Sequence, residues 1–189
     1  MRLHSDRAAA KRQAVLTAAA DVFRRYGFER TTMGDLAERA GMSRPALYLV
    51  FPTKLDIFNA MVEQDSHNTL AAIREGLDEH PTLKAKLAFA CEEVIVKNFA
   101  FVRDYPDAAD MFTPGFACVE AAFDRFRGVL EDLIDGPLRA SGLAFATPEL
   151  TRTFVAAIRG FPDLATDAED LRRMIEIQCA LLLAAIGPG

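Results

Sequence analysis

Apolar residues recur at intervals of three and four along almost the whole chain, and this spacing most constrains what the chain can fold into. No stretch has the alternation of apolar and polar residues, joined by hairpin turns, that is typical of strands. Glycine and proline interrupt the pattern, for example at Gly27, Gly41, Pro106 and the pair Gly136-Pro137. The sequence therefore predicts an all-α fold with about nine helices separated at such points.

The composition and the cysteines are those expected of a folded intracellular protein. Of the 189 residues, 51% are hydrophobic and 26% are charged, which disfavours global disorder. Cys91, Cys118 and Cys179 form no C-x-x-C pair, so we interpret them as small buried side chains in a reducing cytoplasm. A redox-sensing thiol is the alternative, although no basic residue adjoins these cysteines in the sequence.

The two ends of the chain lack the patterns typical of export or membrane insertion. The first residues, MRLHSDRAAAKRQ, are charged and contain no apolar core of a signal peptide. The apolar run at 179–187 is shorter than the ~18 residues that a membrane span needs. We therefore expect a cytoplasmic protein with no membrane partner.

Charge is divided unevenly along the chain. The net formal charge is −5, but residues 1–60 carry 10 Lys or Arg against 6 Asp or Glu, and the remainder carries 12 against 21. A basic segment joined to an acidic one indicates an attached module that binds nucleic acid. Because physiological salt screens charges beyond roughly 8 Å, the acidic remainder does not prevent the basic segment from touching DNA.

The basic segment contains the pattern of a helix-turn-helix. Thr32, with Asp35 three residues later, predicts a capped helix start, and Gly41 predicts the turn that ends this helix. Ser43 predicts the N-cap of the next helix, with Pro45 in its first turn, where proline is tolerated. In a helix-turn-helix the first helix braces the second, whose N-terminal turn meets base edges in the major groove.

Several side chains in this segment have the chemistry of a DNA interface. Arg44 can read guanine through O6 and N7, and Pro45 and Ala46 are small enough to approach a thymine methyl group. Hydroxyl groups, and a lysine at a helix N-terminus, suit contacts with phosphate. The candidate DNA-binding residues are Thr32, Ser43, Arg44, Pro45, Ala46, Tyr48 and Lys54. From spacing alone, an ordinary helical hairpin is the alternative.

Four runs in the basic segment match the motifs of a known family in register. They are Phe23-x-x-Tyr26-Gly27-Phe28, Thr32–Ala37, Ala40–Tyr48 and Phe51–Leu55. Over roughly residues 10–60 the chain resembles the tetracycline-repressor (TetR) family. The resemblance implies phosphate contacts from Thr32, Tyr48 and Lys54, and base reading by the first turn of the second helix of the pair. At Leu49 and Val50, where aromatic residues or histidine are common in the family, the chain departs from the pattern, which leaves the operator sequence open.

The resemblance also implies two domains. We expect a helix-turn-helix DNA-binding domain at residues 1–53 and a larger helical domain for effector binding and dimerisation at 54–189. The predicted function is a sequence-specific transcriptional regulator, a repressor released from double-stranded operator DNA by a small hydrophobic or aromatic effector. The alternative is a DNA-binding regulator whose helical body responds to a protein partner and has no small-molecule pocket.

Phenylalanine is concentrated in the middle of the larger predicted domain. The chain has 14 Phe and no Trp, and six of the Phe lie between residues 99 and 126. These rings form either an ordinary aromatic core or the wall of a mostly apolar effector cavity. Pro106 and Pro114 bracket a short helix at 107–112, which we interpret as a mobile gate to that cavity. The candidate pocket residues are Met61, His67, Phe89, Glu92, Phe99, Phe112, Phe116 and Phe123.

The last two predicted helices, at 149–161 and 167–186, carry apolar stripes. By resemblance, they pair with the same helices of a second copy and form a four-helix dimer interface. The candidate interface residues are Phe154, Ile158, Met174, Gln178, Leu181 and Leu182. A two-fold dimer would present two reading helices about 34–36 Å apart, one turn of DNA, or a multiple of it.

Motifs typical of an enzyme or a metal site do not occur in the sequence. His4, His67 and His80 are dispersed, and adjacent carboxylates such as Glu92 and Glu93 point apart on a helix. No phosphate-binding loop or nucleophile motif is found. We therefore expect no catalysis, no cofactor and no bound metal.

Overall fold

A computed structural model describes residues 2–113 and 115–187, which form nine α-helices and contain no strand. The predicted all-α architecture is confirmed. The first helices are α1 (Arg2–Arg30), α2 (Met33–Arg39), α3 (Arg44–Tyr48) and α4 (Lys54–Gly76). The later helices are α5 (Leu83–Cys91), α6 (Lys97–Asp104), α7 (Ala117–Ser141), α8 (Thr147–Gly160) and α9 (Ala168–Ile186).

The connections include 3-10 segments at Leu77–Glu79, Pro106–Phe112 and Phe161–Asp163, and a π-helical segment at Glu92–Val96. In the described part of the chain, none of the helices is both long and apolar enough to cross a membrane.

The helices form two compact units. The first unit comprises Met1–Ser66 and Asp104–Glu120, and the second comprises His67–Arg103 and Ala121–Gly189. The first unit is therefore larger than the helix-turn-helix domain expected at 1–53, because it takes in the start of α4 and a segment from the middle of the chain. The functional division at residue 53 stays a prediction.

The regular course of α1 ends at Gly27, as the sequence predicted. Gly27 has φ 73° and ψ 178°, a conformation that residues with a Cβ rarely adopt. A Cβ at this position would also clash with the backbone oxygen of Asp107 and would lie within 3 Å of the carboxylate of Asp110. Glycine is therefore required both by the backbone conformation and by the close approach of the segment Pro106–Phe112.

The core of the first unit contains side chains from all its helices and from the middle segment. Its buried members include Val15, Ala19, Phe23, Leu36, Leu47, Phe51, Ile57, Phe58, Ala108 and Met111. The rings of Phe28, Phe58 and Phe116 pack together at centroid distances of 4.7–5.0 Å. Aromatic pairs at such distances add roughly 0.5–1.5 kcal/mol beyond the area that they bury. Phe116 thus joins the middle segment to the hydrophobic core of the first unit.

In the second unit, α7 runs through Gly136 and Pro137, where the sequence predicted a break, and that prediction is wrong. Proline inside a helix lacks an N–H and crowds the carbonyl four residues earlier, at a cost of ~3 kcal/mol. Ile134 and Leu138, on either side of it, are only 1% and 2% exposed in the core of the unit. Because burying each such side chain contributes about 1.5–3 kcal/mol, core packing outweighs the local preference of proline.

A π-helical segment, Glu92–Val96, lies between α5 and α6. The side-chain amide of Asn98 donates to the carbonyl oxygen of Val94 at 2.7 Å. Cys91, just before the segment, is buried beside Cys179 of α9, so the interpretation of these two cysteines as buried side chains is confirmed. A hydrogen bond to Cys179, together with burial, raises the pKa of the Cys91 thiol above its usual value. Cys118 is half-buried.

Candidate nucleic-acid interface

Gly41 forms the tight turn between α2 and α3, as predicted. It has φ 64°, and its N–H donates to the carbonyl oxygen of Glu38 at 3.0 Å. The N–H of Met42 donates to the carbonyl oxygen of Ala37 at 2.9 Å. This pair of bonds is a Schellman motif, which closes the end of a helix on a glycine in the left-handed region. The motif fixes the direction in which the chain enters α3.

Thr32 and Asp35 form a reciprocal capping box at the start of α2. The N–H and the hydroxyl group of Thr32 donate to Oδ2 of Asp35 at 2.8 and 2.7 Å, and the N–H of Asp35 donates back to the threonine Oγ1 at 3.3 Å. The side-chain and backbone hydrogen bonds from Thr32, with a smaller contribution from the positive charge of Arg44, hold the pKa of Asp35 below its ordinary value of 3.8. Thr32 is exposed to solvent.

The first turn of α3 is exposed, as a reading helix requires. Ser43 is the N-cap, and its hydroxyl oxygen accepts from the N–H of Ala46 at 3.4 Å. Ser43, Arg44 and Pro45 are exposed, and Ala46 is half-buried. The guanidinium group of Arg44 lies against Gly34 of α2, where a Cβ would clash with it.

The other side of α3 anchors the helix to the first unit. Leu47 is fully buried and Phe51 is nearly so, and the guanidinium group of Arg12 lies 4.4 Å from the centre of the Phe51 ring. Tyr48 and Leu49, at the end of α3, are 51% and 90% exposed. Leu49 therefore presents an apolar side chain to solvent next to the candidate DNA face.

Lys54, at the start of α4, is held by the end of α1. Its Nζ donates to the carbonyl oxygens of Phe28 and Glu29 at 2.5 and 3.1 Å, and lies 4.3 Å from the centre of the Phe28 ring. Thr53 and Asp56 form a second capping box at the start of this helix, with hydrogen bonds of 2.7–3.1 Å. An ammonium group has three N–H donors, and the two carbonyls take up two of them.

Residues 15–61 match the sequence model of the family described as bacterial regulatory proteins, tetR family. The matched stretch contains the whole helix-turn-helix and the beginning of α4. Through this segment, the chain belongs to the tetR family.

One curated relative of this tetR-family chain is the HTH-type transcriptional regulator RutR of Escherichia coli O157:H7. The two sequences are 32% identical over 127 residues, which is 67% of this chain and 58% of RutR. The chain thus matches little more than half the length of RutR.

Solved structures with the same fold extend the likeness to nearly the whole chain. The fatty acid degradation regulator FadR of Bacillus halodurans has a TM-score of 0.67 and 15% identity, over 95% of this chain and 97% of FadR. The FadR of Thermus thermophilus, a TetR family repressor in complex with lauroyl-CoA, has a TM-score of 0.64 and 22% identity, over 91% and 93%. At these identities the likeness establishes the fold alone.

The candidate pocket residues of the tetR-family chain are divided between its two units. Met61, Phe112 and Phe116 belong to the first unit, where Phe116 packs against Phe28 and Phe58. The segment interpreted as a gate belongs to the same unit, and Pro114 lies outside the described residues. The remaining candidates, His67, Phe89, Glu92, Phe99 and Phe123, belong to the second unit.

Within the second unit, most of these candidates have partners in their own chain. Phe89 lies against His80, with ring centroids 4.4 Å apart, and the guanidinium group of Arg159 lies 4.2 Å from the centre of the Phe123 ring. Glu92 accepts two hydrogen bonds from Arg172 of α9 at 2.7 and 2.9 Å, which raises the pKa of the arginine. His67 is exposed rather than enclosed, and Phe99 is half-buried.

Three of the six candidate dimer residues face the core of their own chain. Phe154, Ile158 and Leu182 are at most 6% exposed in the second unit, so their side chains have almost no surface left for a partner. Met174 and Gln178 are half-buried, and Leu181 is 62% exposed. The apolar stripe was correctly located, but much of it covers the chain's own core.

Asp110 is a structural residue of the first unit that the sequence patterns did not indicate. Its carboxylate accepts from the N–H groups of Phe28 and Glu29, both at 2.8 Å. Arg30 and Asp107 form an ion pair beside it at 2.7 Å. Because 82 residues separate Phe28 from Asp110, local periodicity and capping patterns contain no signal for this contact.

Proposed function

We propose that this tetR-family chain is a transcriptional regulator, not an enzyme, and that it binds double-stranded operator DNA as a homodimer. The exposed first turn of α3, anchored from behind by Leu47, carries the proposal. A helix presented in this way can enter the major groove with Ser43, Arg44 and Pro45 at base edges. Thr32, Tyr48 and Lys54 flank the turn in sequence and supply phosphate contacts. Operator binding requires a cytoplasmic location with the chromosome.

The dimer is proposed through the exposed face of α9. Ile177 and Leu181 are 49% and 62% exposed and lie four residues apart, on one face of the helix. Large apolar side chains that adjoin on a surface favour a covering partner. A second copy of the chain would cover this face and would also supply the second reading helix that a palindromic operator requires.

The regulatory signal is proposed to be a small hydrophobic effector that releases the repressor from DNA. The FadR of Thermus thermophilus has the same fold and was solved with lauroyl-CoA, so long-chain acyl-CoA is the first class of ligand to test. An effector acts only if it binds the two DNA-affinity states differently, and a tenfold release requires about 1.4 kcal/mol of differential binding.

A regulator controlled by a protein partner is the second candidate. The packing of Phe89 against His80, the ion pair of Glu92 with Arg172 and the burial of Phe126 favour it, because these side chains are engaged within the second unit. In this case neither acyl-CoA nor another small apolar compound would change operator affinity.

Selection from a library of random DNA duplexes tests DNA recognition. The purified protein is expected to enrich a palindromic site that persists at physiological salt, because base contacts are less salt-sensitive than phosphate contacts. Enrichment of no common sequence would contradict the proposal. Lauroyl-CoA added to the complex, with free coenzyme A as the matched control, then separates the two regulatory candidates.

A further inference from the structure

The segment Pro106–Phe112 is fastened to the end of α1 by one carboxylate. Oδ1 of Asp110 accepts from the N–H of Phe28, and Oδ2 accepts from the N–H of Glu29, each at 2.8 Å. These two amides follow the break at Gly27, where the backbone leaves the helical conformation. Ala108 and Met111 of the same segment are buried in the first unit and fix the position of the carboxylate.

The same two residues are held from their carbonyl side by Lys54. Its Nζ donates to the oxygens of Phe28 and Glu29 at 2.5 and 3.1 Å. The anion of Asp110 at the N–H groups and the cation of Lys54 at the C=O groups polarise the intervening peptide groups in the same direction. Hydrogen bonds that are linked in this way strengthen one another. Charge-assisted hydrogen bonds are also the stronger class.

We propose that Asp110 is a positioning residue for DNA binding, which acts through Phe28 and Glu29 to hold the ammonium group of Lys54 where it meets a phosphate. The inference rests on the proposed function, because it assigns Lys54 to the DNA backbone. It extends the DNA-binding machinery to a residue in the middle of the chain. Without the carboxylate, the turn after Gly27 loses its fixed geometry, and the two carbonyls no longer define one position for the lysine.

The substitution Asp110→Asn tests this role, because it keeps the size of the side chain but replaces one acceptor oxygen with a donor. Operator affinity is measured between 50 and 200 mM salt by fluorescence anisotropy. Each phosphate contact contributes about 0.9 to the slope of log affinity against log salt. We expect Asp110→Asn to weaken binding several-fold and to lower the slope by about one phosphate contact. Asp107→Asn is the matched control, since it breaks the exposed pair with Arg30 in the same turn and is expected to leave the slope unchanged.

A double-mutant cycle with Lys54→Met separates positioning from general support of the fold. If Asp110 acts through Lys54, Asp110→Asn has almost no further effect on affinity once Lys54 is replaced. An unchanged salt slope in Asp110→Asn, or an equal loss of affinity in the presence and absence of Lys54, would overturn the inference while leaving DNA recognition intact. Wild-type protein that bound no duplex at any salt would overturn the proposed function, and this inference with it.

Amide hydrogen exchange gives a second test that does not depend on the folding of Asp110→Asn. The N–H groups of Phe28 and Glu29 are expected to be protected in the wild-type protein. Lys54→Met should speed their exchange several-fold, because the cation no longer holds the carbonyls of the same residues. Fast exchange in the wild type, or unchanged exchange in Lys54→Met, would show that the two charges are not connected through this turn.

Discussion

Charged side chains near α3 differ in how firmly the protein holds them. Arg44 is exposed and lies over Gly34, and within the described part of the chain its guanidinium group has no hydrogen bond that holds it there. Lys54 is fixed by two carbonyls, and Asp35 is fixed by Thr32. An exposed arginine suits the reading of bases, since its long side chain can adapt to the groove, whereas a lysine held by carbonyls suits a phosphate, whose position does not depend on sequence.

The capping box of α2 predicts a pH-dependent stability. Because the folded pKa of Asp35 lies below its ordinary value of 3.8, its contribution is complete above about pH 5 and is lost as the pH falls through the lowered pKa. Thr32→Ala should cost about 1 kcal/mol at neutral pH and should reduce the loss of unfolding free energy on acidification. Urea unfolding between pH 3 and pH 7 measures both effects.

Thr153→Ala is the control for this prediction. The hydroxyl group of Thr153 donates to the carbonyl oxygen of Glu149, four residues earlier in the interior of α8, so it is not the N-cap of that helix. The control should leave the acid dependence unchanged, and at neutral pH it should be as stable as the wild type or more stable by up to about 0.7 kcal/mol through helix propensity. Identical acid dependence in Thr32→Ala and the wild type would contradict the assigned cause of the lowered pKa.

At the residue scale, the caps were predictable and the long-range partners were not. The structural roles of Thr32, Ser43 and Gly41 depend on residues three or four positions away, so the local sequence is enough to predict them. The contacts of Asp110 and the pairing of Glu92 with Arg172 join residues about 80 positions apart. Their formation depends on the packing of whole helices, which no local pattern encodes.

The break near the end of α1 leaves no room for a side chain at Gly27. Gly27→Ala should destabilise the protein by at least about 1–3 kcal/mol, because a positive φ with ψ near 180° is strained for alanine and the added Cβ would clash with Asp107 and Asp110. Gly128→Ala is the matched control, since Gly128 lies in α7 with nothing within 4 Å of an added Cβ. That variant should be neutral or gain up to about 1 kcal/mol from helix propensity. Equal midpoints of urea unfolding for the two variants would contradict this account.

The helices also show where local propensity yields to packing. Pro137 predicted the end of a helix, yet α7 continues through it because Ile134 and Leu138 are buried on both sides. The sequence also did not predict the π-helical segment at Glu92–Val96, because the apolar residues around it are consistent with an uninterrupted helix. Helix type was therefore predictable from periodicity, whereas the extent of α7 and the irregular geometry inside a helix were not.

For the whole molecule, periodicity predicted where the apolar stripes lie. It did not distinguish a stripe that packs in the chain's own core from one that a partner would cover. Phe154 and Ile158 proved to be core residues of their own chain, and Leu181 remained exposed. A stripe that faces the core and one that faces a partner have the same composition. The division of the aromatic residues between two units was equally beyond the sequence, since it depends on the return of Asp104–Glu120 to the first unit.

The proposed dimer predicts a specific effect of charge on α9. Leu181→Glu should shift the protein from dimer to monomer, because a carboxylate would lose its hydration in an apolar interface. Leu164→Glu is the control, since Leu164 is 71% exposed and lies outside α9. Sedimentation equilibrium at micromolar concentration measures both variants. A Leu181→Glu protein that dimerises as strongly as the wild type would place the interface elsewhere.

The central claim is that two copies of α3 read two half-sites, with Arg44 at a base edge. A scan of every base pair in the selected site, with wild-type and Arg44→Ala protein at physiological salt, tests it most directly. Wild-type affinity should fall at symmetric positions in both half-sites, and Arg44→Ala should lose its discrimination, worth about 1–3 kcal/mol, at one symmetric pair of positions. Equal weakening of Arg44→Ala on every sequence, or sensitivity in one half-site only, would contradict the claim.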